Sequence, residues 1–313
     1  VAQLRVGYDR FGVVAAFLTP AFFDLWRTRA PAAVGRAVSS VFLGPPVGER
    51  EDVAPAVAAG PGAAATGKTN SGDPPVLTAV IDDEIAFAHD RFRTGERSRI
   101  HHLWLQGPGR ELCREDIDGM LAAATHAGIV DEDEVYARAG VLDFSRPDRH
   151  GLGFRLTHGT AVADVAAGAP GGTDAAGRPI VAVQLPRRAV RDTSFRRLQP
   201  HVLRGLLYVL MRSRTVARTL GAPSMPLVVN LSYGNTAGPH DGGGEFEVLL
   251  DRIVEGWRGV FGQPVEVVMP SGNHRQRRCR AALCLSPGKG RRTASLTWQV
   301  PPDDRTVSLV EAW

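Results

Sequence analysis

Four short runs in this chain hold the residue types that a group-transfer site needs. "AVIDDEI" ends an apolar run in Asp82 and Asp83, and "LTHGTAVADVAAG" places His158 directly before a series of small residues. "VVNLSYGN" delivers Asn230, Ser232, Tyr233 and Gly234, and "VVMPSGN" delivers Asn273 behind Gly272. A carboxylate, an imidazole and a side-chain amide are three of the four parts that acyl transfer to a hydroxyl requires. The carboxylate orients the imidazole and stabilises its protonated form, while the imidazole takes the proton of the hydroxyl. The amide N–H hydrogen-bonds the oxyanion of the tetrahedral intermediate.

These groups can meet only if the elements that carry them end at one edge of the molecule. "PVLTAVID" is a continuous apolar run ending in acid, the pattern of a buried parallel strand. "RPIVAVQLP", "MPLVVNLSYG" and "PVEVVMPSGN" read as further strands. Between them, "EDIDGMLAAATHAG" (Glu115–Gly128), "HGTAVADVAAG", "RRLQPHVLRGLLYVLMRSRTVARTLG" and "EFEVLLDRIVEGWRGVFG" read as helices, the third closed by Gly221. This alternation predicts an α/β fold, a parallel sheet with helices on both faces. In open parallel sheets function collects at the carboxyl ends of the strands, where Asp82, the Ser232–Gly234 segment and Asn273 stand. His158 sits at the mouth of a helix whose Val162, Val165 and Ala169 recur at helical spacing on one side, and whose small side chains let it lie close against what is beneath it. "HHLWLQGPG" reads as a surface excursion.

"AVIDDEI", "HGTAVADVAAG", "VVNLSYG" and "SGN", in that order, resemble the successive motifs of the subtilisin-like serine proteases. The resemblance covers roughly Val76 to Asn273, and "HGTAVA" before a small-residue helix is its most specific part. It implies a serine endopeptidase in which Asp82 is the triad acid, His158 the general base and Asn273 the oxyanion donor. It also implies that Ser232, Tyr233 and Gly234 form an extended segment that pairs with the backbone of a polypeptide substrate, by added-strand hydrogen bonding. Against the family pattern, Asp83 stands where Ser or Thr is common and Glu84 where glycine is usual. Ala161 replaces the second histidine of "HGTHVA".

The larger departure is the nucleophile. The family carries a serine in G-T-S-x-A-x-P after the asparagine motif. Downstream of Asn273 stand only Ser286, Ser295 and Ser308, none in that pattern. The sequence is therefore read as part of a longer enzyme, or as an inactive protein of protease fold that binds without cleaving. The expected organisation is a small helical segment over 1–53, an Ala/Gly/Pro-rich linker over 54–75 and a partial catalytic domain over 76–280. The start of an antiparallel β insertion follows over 281–313, built from "AALCLS", "TASLTWQV" and "TVSLVEAW".

Other chemistries fit less well. "GAAATGKT" (Gly62–Thr69) matches the phosphate-loop pattern and offers a nucleotide-binding alternative through Lys68. Such a loop needs a strand before it and a helix after it, whereas "EDVAPAVAAGP" and "NSGDPP" flank this one. The basic cluster "HRQRRCR" (His274–Arg280) lacks interleaved aromatics, so no nucleic-acid partner is expected. His101–His102 and His240–Asp241 are read as loop residues, not metal ligands, because adjacent histidines project apart and no third ligand stands at metal spacing. No cofactor is required by this chemistry. The resemblance admits calcium, but no ligand set for it is visible. Cys113, Cys279 and Cys284 cannot all pair. Net charge is +4 and no apolar run reaches the ~18 residues of a membrane span, so no membrane partner is expected. The oligomeric state and the compartment are left open by the sequence.

Overall fold

A computed structural model of the chain describes Ala21, Asp24, Arg27 and Thr28, then residues 75–273 except 147–148, 155, 171–177, 193–194 and 235–237. Beyond these it describes Ala281, 295–300 and 302–303. The 54–74 part of the expected linker, the "GAAATGKT" run and the basic cluster at 274–280 lie outside the described residues. Of the expected N-terminal helices only the four residues named are described, and they are helical.

The centre is a six-stranded sheet: β1 (Leu77–Asp82), β2 (Ile100–Leu105), β3 (Arg110–Cys113), β4 (Ile180–Gln184), β5 (Leu227–Asn230) and β6 (Val265–Val268). The spatial order is β6-β5-β1-β4-β2-β3. Every neighbouring pair is parallel except β2–β3, which is antiparallel and closes one edge. Among residues 75–273, the described α-helices that accompany it are α1 (Arg114–Ala123), α2 (Glu132–Arg138), α3 (His158–Ala167), α4 (Arg187–Val190), α5 (Leu198–Thr219) and α6 (Glu245–Phe261). The α/β architecture with helices on both faces is thus the observed one.

Strand parity divides the core in two. Leu77, Ala79 and Ile81 of β1 join Val181, Val183, Leu227 and Val229 against α5 and α6. Val80 points the other way and joins Ile100, Leu103, Ile180 and Ala182 against α1, α2 and α3. Asp82 shares the parity of Val80, so β1 aims the acid at the layer that contains α3. Along α5 the missing Cβ of Gly205 would touch Val183 Cγ1 at 3.3 Å and Ile81 Cγ2 at 3.4 Å. This long helix therefore lies close on the opposite face.

Three readings of the sequence are corrected. "HHLWLQ" is no surface excursion: it supplies β2, with His101 buried and Leu103 and Leu105 fully so. Its histidines and the preceding Arg99 mask the apolar period, and Arg99 and His101 are both held inside by the fold. The fully buried residues of α3 are Gly159, Ala163 and Ala167; of the residues read on one side, Val162 packs against the core and Ala169 is buried just beyond the helix, but Val165 is 90% exposed. At Gly159 the approach of the helix leaves no room for a Cβ. Finally, residues 295–300 form no strand, and Leu296, Trp298 and Val300 are exposed. The alternation is present there, but these residues have no ladder partner among the described residues; the other two runs of the expected β insertion lie outside the described residues, apart from Ala281.

Candidate active site

Chain direction and helix entry bring the acid and the imidazole together. β1 ends at Asp82, whose side chain is fully buried. Thr157, extended at φ −99° and ψ 152°, turns the chain into α3, so His158 is the first helical residue. The Thr157 hydroxyl donates to the Glu84 carbonyl at 2.5 Å, and the Thr160 hydroxyl donates to the same oxygen at 3.0 Å. Thr160 Oγ1 also accepts from the Ala86 amide at 2.9 Å. The two threonines of "THGT" thereby fasten the first turn of α3 to the loop after β1. Gly159 lets the backbones meet: a Cβ there would stand 1.6 Å from the Asp83 carbonyl oxygen.

With the helix so fixed, His158 Nδ1 lies 2.8 Å from Asp82 Oδ1. The hydrogen bond places the proton on Nδ1 and leaves Nε2 as the basic nitrogen. Half of the His158 side chain is exposed (53%), although its partner is buried. Burial pushes the Asp82 carboxyl up to about 6, against the opposing pull of its hydrogen bond and charge contact with His158 and of the Asp83 amide. Asp82 Oδ1 also accepts from the Asp83 amide at 2.8 Å.

One partner of the acid goes beyond the sequence reading. The Tyr233 hydroxyl donates to Asp82 Oδ1 at 3.2 Å, and its ring lies 5.3 Å from that of His158. The sequence places Tyr233 in a substrate-pairing segment; the structure turns its side chain inward onto the acid. Ser232 Oγ donates to Asn230 Oδ1 at 2.9 Å, and Gly234 is exposed. Burial and the Asp82 charge raise the Tyr233 phenol far above its ordinary range, so it stays a donor.

Asn273 is exposed and follows Gly272, which has φ +90°. A Cβ at Gly234 would lie 3.4 Å from the Gly272 Cα, so the segments after β5 and β6 touch. That contact puts Asn273 beside the Ser232–Gly234 segment. No described hydrogen bond joins Asn273 to Asp82 or His158.

Glu84 follows the acid with φ +41°, a left-handed conformation that favours glycine. Its carboxylate occupies the room left by Gly151, where a Cβ would stand 2.0 Å from Oε1, and pairs with Arg187 Nη1 at 3.2 Å. Burial raises its pKa despite that pair.

Ligand atoms of Asp82, Asp83 and His158 lie within 4.8 Å of one another. Oδ1 already accepts from His158, Asp83 and Tyr233, and the His158 nitrogen nearest the acid is the one that donates to it. Asp82 Oδ1 and His158 Nδ1 are thus engaged with each other, while Asp82 Oδ2 and Asp83 Oδ1 are buried without a hydrogen-bond partner among the described residues. His102, read as a loop residue, instead lies in β2 with Nδ1 3.3 Å from Glu111 Oε1. A cavity of about 510 Å³ adjoins His158, walled by Ala86, Phe92, Leu156 and Ala161. No described helix is long and apolar enough to cross a membrane.

No protein-family model and no curated protein matches the chain. Among solved structures the chain is similar to the CspB protease of Clostridium perfringens, with a TM-score of 0.42 and 20% identity over 62% of this chain. The match takes in 35% of that protease, so the chain spans about a third of its length.

Proposed function

We propose that this chain supplies the acid–base machinery of a subtilisin-type serine endopeptidase whose hydroxyl nucleophile stands outside the motifs present here. The observation that carries the reading is the 2.8 Å contact of His158 Nδ1 with a fully buried Asp82, on an imidazole that is otherwise half exposed. A buried acid fixes the tautomer, and an accessible Nε2 is where a base must work.

In the reaction, Nε2 takes the hydroxyl proton as the oxygen adds to the peptide carbonyl carbon. The imidazolium is stabilised by Asp82, and the oxyanion receives the Asn273 amide N–H. The C–N bond then breaks as Nε2–H protonates the leaving amine. Water, deprotonated by the same nitrogen, releases the acyl group. The backbone of Ser232 to Gly234 holds the substrate in extended form beside this centre.

The test is the coding frame past the Trp313 codon, followed by assay of the encoded protein. The reading expects a G-T-S-x-A-x-P segment. Peptide hydrolysis in that protein should fall by roughly a millionfold on His158→Ala and about ten-thousandfold on Asp82→Asn. A stop immediately after Trp313, with peptide bound but never cleaved, would overturn catalysis in favour of the inactive binding protein. Residues 1–313 alone should take up no serine-directed phosphonate; stoichiometric labelling would place the nucleophile inside them.

A further inference from the structure

Asp82 holds its position through one oxygen. Oδ1 accepts from His158 Nδ1, the Asp83 amide and the Tyr233 hydroxyl. Oδ2 is buried and has no hydrogen-bond partner among the described residues. The carboxylate is thus free to turn about its last torsion except for what grips Oδ1. The Asp83 amide belongs to the next residue and constrains that torsion weakly, and the His158 contact is the one to be maintained. Tyr233 reaches in from a different strand end, and its ring also packs on the imidazole at 5.3 Å with planes 46° apart. It touches both members of the pair from a third element.

We propose that Tyr233 is the positioning residue of the Asp82–His158 pair, its hydroxyl locking the carboxylate toward Nδ1 and its ring bracing the imidazole. The proposal rests on the reading of His158 as a base and names what keeps that base in register. The phenol is suited to the task because it remains protonated at every pH where the pair works. Beside His158, the charged group acting on the acid is Asp83; Glu84 on the same loop pairs with Arg187 of α4. None of them is a described donor to Asp82 Oδ1 through its side chain.

The experiment is nuclear magnetic resonance of residues 1–313 with 15N-labelled histidine, in the unmodified chain, Tyr233→Phe and Tyr233→Leu. The unmodified chain should show a low-field Nδ1–H proton on His158 that exchanges slowly with water. Tyr233→Phe keeps the ring and loses the donor; its exchange should quicken roughly tenfold, as expected for loss of one net hydrogen bond to a charged group. Tyr233→Leu loses both contacts and should quicken it further. From the other side, Asp82→Asn should shift the Tyr233 13Cζ resonance, a readout that survives if the tyrosine variants do not fold. Exchange that is equal in Tyr233→Phe and the unmodified chain would overturn the proposal. So would an immobile Cζ resonance, or absence of the Nδ1–H signal from the unmodified chain. If the signal depends on Tyr233 while the assayed longer protein tolerates His158→Ala, the positioning stands and the endopeptidase reading falls.

Discussion

A Cβ on Gly159 would stand 1.6 Å from the carbonyl oxygen of Asp83 and 3.1 Å from Asp82 Oδ1. The first turn of α3 is therefore in backbone contact with the loop that carries the acid. Neither side can yield by rotating a side chain. The same approach sets the partial positive charge of the α3 N-terminus beside the buried carboxylate, a favourable arrangement. Gly159→Ala should destabilise the protein by about 3 kcal/mol or more, the upper range of overpacking costs. Urea unfolding measures it, and a cost below ~1 kcal/mol would show that α3 sits further from the loop.

The buried acid makes stability depend on pH in an unusual direction. An unfolded aspartate loses its proton near 3.8, whereas Asp82 holds it to about 6. Between those values the native state binds more protons than the unfolded one, so stability falls as pH rises. The contribution is on the order of 2–3 kcal/mol across pH 4 to 6. Asp82→Asn should flatten that slope. Urea midpoints at half-unit pH intervals test the point, and a profile rising through the window would refute it.

At Glu84 the backbone and the side chain want different residues. φ +41° favours glycine, while the carboxylate pairs with Arg187. Glu84→Ala loses the pair and keeps the strained Cβ. Glu84→Gly loses the pair but relieves the strain. The glycine variant should therefore be more stable than the alanine variant by about 1 kcal/mol. Thermal unfolding of the two, side by side, decides it.

Gly151 meets the same carboxylate, but here the clash is with the end of a flexible side chain, 2.0 Å from Glu84 Oε1. Gly151→Ala should push Glu84 off Arg187 and cost about 1 kcal/mol, well below the cost at Gly159. Combined with Glu84→Ala the substitution should cost close to nothing more. A double-mutant cycle with additive losses would mean that Glu84 does not fill this space.

Much of the fold follows from the sequence by itself. The apolar runs ending in acid or turn residues, and the helices between them, determine the parallel sheet and its functional edge, because a strand buried on both faces must be apolar throughout. The same runs single out Asp82, His158 and Ser232–Gly234 as strand-end or helix-mouth residues. What the sequence could not yield depends on neighbours remote in the chain. β2 is hidden because His101 and Arg99 are kept inside by the fold, Arg99 by hydrogen bonds to the Arg91 and Arg178 carbonyls. The side of α3 that meets the sheet is set by the close approach at Gly159, where a Cβ would meet the Asp83 carbonyl oxygen, and this turns Val165 out to solvent. The inward turn of Tyr233 onto Asp82 is decided by β5 lying next to β1 in the sheet. No local pattern of residues encodes that adjacency, because a hydrogen bond between strand ends exists only once the sheet order is set.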